Sequence, residues 1–187
     1  VVVLNRAGAW AAGLVLLLGA CAAPPEPVPP VPLQPQASAA DPARQAVLSA
    51  AAAFADPARL AGHPADAARA VAQLAWMSVA LQQDQWWTGA NPTLFFTLRE
   101  AEREVRGALG VRPEATTAAV TMAFAAAASA LERDRRDEAA AALAPVAAAG
   151  GEAVLTRLDP MPLMPRAAAA THFADQQMLE IMRSDPE

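Results

Sequence analysis

The alternation of apolar and polar positions along this chain follows a helical period. Leu94, Leu98, Ala101, Val105 and Ala108 step by four and three, which places them on one stripe of a helix. Arg99, Glu100, Glu102, Arg103, Glu104 and Arg106 fall on the other face, with Glu102 and Arg106 one turn apart in the favourable order. Val120, Phe124, Ala127 and Leu131 repeat the stripe, as do Ala139, Leu143 and Val146. The stretch holding Val71, Leu74, Trp76, Met77, Val79 and Leu81 is apolar nearly all round, which predicts a central helix. No alternating run of β-branched residues occurs, so strands are not expected.

Helix starts are marked by capping side chains in front of proline. Asp41-Pro42, Asp56-Pro57 and Asn91-Pro92 each supply an oxygen for an orphan N–H and a proline that has no donor to lose. His63-Pro64 and Arg112-Pro113-Glu114 carry the proline half of the signal. Gly110 and Gly150-Gly151 read as stops, and Asp159-Pro160-Met161-Pro162 as a rigid turn. The expected helices are therefore 42–55, 64–84, 92–109, 113–133, 135–148, 151–158 and 165–183, with a short helical turn near 56–62. The short connections imply antiparallel neighbours, and hence an all-α, compact antiparallel bundle of six to seven helices over 41–187.

Two segments precede that domain. Residues 1–20 have one positive charge, Arg6, then an apolar run from Ala7 to Leu18, too short for a membrane-spanning helix. A basic head, a short apolar run and small residues at its end make a secretory signal. The end of that run, Leu18-Gly19-Ala20-Cys21, resembles the lipobox of bacterial lipoproteins. The resemblance implies cleavage between Ala20 and Cys21 and a diacylglyceryl group on the Cys21 thiol. Ala22 after that cysteine resembles the pattern of lipoproteins exported to the outer membrane. The implied address is the cell envelope, lipid-anchored and facing the periplasm. Residues 21–40 then form the lipidated cysteine and a tether. Pro24 to Pro35 is dominated by proline, so this stretch is expected to extend as a semi-rigid spacer.

Composition adds a warning. Alanine fills more than a quarter of the chain, all basic residues are Arg, and Ile181 is the sole isoleucine. That is the signature of GC-rich coding, and it inflates the 55% hydrophobic content with a residue that buries little area. The net charge of −5 and the lack of a basic patch interleaved with aromatics argue against a nucleic-acid partner. With Cys21 as the one cysteine, no disulfide can form within the chain.

No catalytic constellation, metal pattern, phosphate loop or cofactor motif is legible. His172 and Asp175 are three apart and read as a surface pair. Aromatics are scarce, yet Trp86, Trp87, Phe95 and Phe96 cluster beside Gln82, Gln83, Gln85 and Asn91. The first reading of this cluster is a plug that folds over the next helix into the core; the alternative is a recognition surface. The expected function is a membrane-anchored envelope lipoprotein with a non-enzymatic helical interaction module and an envelope protein as partner. The competing readings are an enzyme acting on cell-wall glycan, with Trp86 and Trp87 as a stacking platform, and a carrier of an apolar ligand lined by the methionines.

Overall fold

The structure is a computed structural model that describes residues 28–32 and 41–184. Residues 1–20, read above as a secretory signal, and Cys21 lie outside the described residues. The described chain is an all-α helical bundle of seven helices. These are α1 (Pro42–Ala55), α2 (Pro64–Ala80), α3 (Thr93–Leu109), α4 (Thr117–Leu131), α5 (Arg136–Leu143), α6 (Gly151–Leu158) and α7 (Pro165–Ser184).

Helix α1 begins where the sequence places it, because the Asp41 carboxylate accepts the Arg44 N–H at 3.0 Å in front of Pro42. Asn91 does the same for the Thr93 N–H at 2.9 Å. Gly110 ends α3 in the left-handed region, φ 73°, which glycine enters without a Cβ penalty.

Three boundaries differ from expectation by more than two residues, each for a local reason. Helix α2 stops at Ala80, and 3-10 turns follow over Leu81–Gln83 and Gln85–Gly89. Asp84 is extended there and its carboxylate takes the Trp86 N–H at 2.9 Å, so a side chain outcompetes the helical backbone. Helix α4 starts at Thr117 rather than 113, because Thr116 caps the Ala119 N–H at 3.1 Å. Helix α5 ends at Leu143, since Pro145 has no N–H with which to continue the helical ladder. The chain beyond it forms an isolated antiparallel bridge, Val111 to Ala147, that ties the α3–α4 loop to the α5–α6 loop.

Helices α1, α2, α3 and α7 close a ring in which each packs on the next. Helix α4 packs on α2, α5 packs on α4, and α6 packs on α5 and also meets α2 and α3. Helix α2 is therefore central, as its all-round apolar pattern requires: Leu74 and Met77 are fully buried, and even Arg69 and Gln73 are sequestered. Arg69 is satisfied there by Asp66 at 2.9 Å and by Glu132. Helices α2 and α4 pack together and each buries several alanines, whose small side chains allow close helix approach.

Part of the segment read as a tether lies against this domain. Pro29 and Pro32 are buried, and Val31 packs against the core. Among the described residues, no helix is long and apolar enough to cross a membrane.

Candidate functional site

The aromatic cluster is divided by the fold. Trp87 is 1% exposed and belongs to the core. Trp86 is half-buried and meets Trp87 edge to face, with ring centroids 5.2 Å apart at 74°. Phe95 is half-buried, while Phe96 is 61% exposed. The recognition-surface reading thus fails for Trp87, because the 3-10 turn Gln85–Gly89 rolls that indole inward. No platform of two open indoles is presented, which removes the feature on which the glycan reading relied. Of the four residues, Phe96 is the one left open to solvent.

Phe96 does not stand alone. It lines an open groove of about 540 Å³ between α3 and α7 with Thr97, Ala169, Ala170 and Phe173. Glu100 and Arg166 stand at the same groove and face each other at 3.6 Å. Phe173 comes from a helix some eighty positions later, so no local signal in the sequence joined it to Phe96.

A second concavity, about 680 Å³, opens between α2, α3 and the loop into α4. Its wall carries Glu102, which the helical pattern placed on the solvated face. In the structure Glu102 is 8% exposed and sits within a polar network. Arg106 donates to Glu102 Oε1 through Nε at 3.1 Å and Nη2 at 2.7 Å. The same guanidinium reaches Thr117 Oγ1 at 3.1 Å and the Ala115 carbonyl. Ser78 Oγ lies 3.3 Å from Glu102 Oε2. The hydroxyl of Ser78 has no histidine in this network, and the carboxylate beside it is neutralised by arginine. The arrangement therefore holds α2, α3 and α4 together and lacks the base that would activate a serine nucleophile.

His172 is exposed and pairs with Gln176 Nε2 at 3.1 Å, not with Asp175. His63 is exposed in front of α2 and forms no side-chain cap. Among the described residues, no three His, Cys, Asp or Glu side chains converge as metal ligands. Met77, Met161, Met164 and Met178 are buried in the core, whereas Met122 and Met182 are exposed. The methionines are thus spread between interior and surface and do not gather around one cavity.

Comparison with protein-family models, with curated proteins and with solved structures finds no match to this chain.

Proposed function

We propose that this protein is a lipid-anchored envelope lipoprotein whose helical domain is a non-enzymatic interaction module. The address rests on Leu18-Gly19-Ala20-Cys21 and on the Ala22 that follows, which point to the periplasmic face of the outer membrane. The observation that carries the interaction reading is Phe96, 61% exposed in the α3–α7 groove that Phe173 also lines. Two aromatic side chains lining an open groove, with an acidic and a basic residue at the same groove, match the apolar-centre, polar-rim make-up of protein interfaces. The partner that fits is another envelope protein presenting an apolar side chain.

Two measurements test the two halves. Two acyl chains give stable membrane anchoring, where one gives only marginal, reversible binding. Cys21→Ser is expected to carry no lipid and, since lipid is added before cleavage, to keep residues 1–20. Intact-mass analysis of the wild type should show an N-terminal Cys21 bearing diacylglycerol. An N-terminal Cys21 without lipid, or a serine variant cleaved like the wild type, sinks the address. For the interaction, a photoreactive benzoyl-phenylalanine at position 96 should trap a discrete partner in envelope preparations. The same group at exposed Glu138 on α5 should trap none. Equal trapping at both positions, or none at 96, removes the groove as an interface.

A further inference from the structure

We infer that the α2 surface carrying Gln73 and Trp76 is a recognition site for an extended proline-rich segment, filled by this chain's own Val28–Pro32, and that filling it sets how far the domain stands from Cys21. The Trp76 indole N–H donates to the Pro29 carbonyl at 3.1 Å. The Gln73 amide N–H donates to the Pro32 carbonyl at 3.2 Å. Ser49 on α1 donates to the other end of that amide, Gln73 Oε1, at 2.8 Å, and so holds its nitrogen towards the segment. Trp76 and Gln73 are 5% and 2% exposed, so each buried donor has its acceptor on the proline segment.

The burial pattern of the segment has the period of a polyproline helix. Pro29 and Pro32 are buried, Val28 and Pro30 are exposed, and Val31 is between. Three residues complete one turn of that helix, so the carbonyls of 29 and 32 face the same way. A segment rich in proline suits this place for a second reason. Pro29, Pro30 and Pro32 have no N–H, so laying them on a helix whose own backbone is already paired leaves few orphan donors. An aromatic ring with polar donors beside it is also the general way in which proteins read such segments. Helix α2, apolar nearly all round, has α1, α3 and α4 against it and receives the segment on what remains.

The consequence is a change in reach. With Val28 held, only residues 21–27 lie between the cysteine and the docked point, a span of at most about 25 Å. With the segment released, residues 21–40 span up to about 70 Å. The docked contact therefore keeps the domain close to its N-terminal attachment. The membrane meaning of that distance rests on the proposed lipidation of Cys21; the docking itself does not.

The test uses the full chain made without lipid, so that docking and anchoring are read separately. A nitroxide on Cys21, the one thiol, reports its distance from α2 by relaxation enhancement, and hydrogen exchange reports the Trp76 indole N–H. In the Pro29→Gly/Pro32→Gly chain, indole exchange is expected to accelerate at least tenfold and broadening of α2 resonances to fall at least fivefold. Helical circular dichroism should be unchanged, because both positions lie outside the helices. Gln73→Met, which removes the other donor, should shift both readings in the same direction. Equal exchange and equal broadening in wild type and both variants would overturn the inference.

Discussion

Gly151→Ala is expected to destabilise the domain by about 3 kcal/mol, a cost at the upper end of that for forcing a methyl group into a filled interior. A Cβ built on Gly151 would lie 1.8 Å from the Ala140 carbonyl oxygen and 2.7 Å from its carbon. Both atoms are backbone of α5, so no side-chain rotation relieves the clash. The start of α6 has to move away from α5, which disturbs the loop bridge between Val111 and Ala147. Gly107→Ala provides the internal control. That glycine is exposed in the last turns of α3, and nothing lies within 4 Å of its built Cβ. Alanine there should stabilise by roughly 0.5–1 kcal/mol through helix propensity alone. Urea unfolding of the two variants checks the contrast. A Gly151→Ala midpoint equal to that of the wild type would mean that α5 and α6 do not approach as described.

Arg106→Met is expected to cost about 2–4 kcal/mol, slightly less than for a fully sequestered pair because its side chain is 12% exposed. The loss exceeds that of one ion pair. It leaves the Glu102 carboxylate, 10% exposed as a side chain, with only hydroxyl neighbours, and it leaves the Ala115 carbonyl without its guanidinium donor. Adding Glu102→Met should recover much of the loss, since a buried pair replaced as a whole by apolar side chains of similar size is often nearly neutral. The double variant should therefore fall short of the summed single effects by more than 1 kcal/mol. Additivity within about 0.5 kcal/mol in urea unfolding would show that the two groups do not act together.

The helices were legible because their signals are local. Asp41 and Asn91 cap their own first turns, Gly110 supplies its own left-handed stop, and the apolar stripes need only a fixed period. The boundaries missed were those where two local signals compete: Asp84 and Thr116 act as caps inside stretches that otherwise read as helix. The polar face of α3 was misread for a different reason. Charge says only that a side chain needs a partner, and here the partners are in the protein. Glu102 turns to Arg106 and Ser78, Glu104 takes the Ala167 N–H at 2.9 Å to cap α7, and Glu100 meets Arg166. The aromatic cluster resisted reading likewise, since adjacent residues in a 3-10 turn point in different directions and only packing decides which is enclosed.

By itself the sequence determined the all-helical class, most helix limits and the centrality of α2, because period, caps and breakers act within a few residues. The tertiary structure alone decided which tryptophan is interior, which carboxylates are sequestered, how near α6 comes to α5, and that a stretch of the proline segment rests on α2. Each of these depends on atoms brought together from distant parts of the chain, and no pattern local to the linear order of residues reveals those distances.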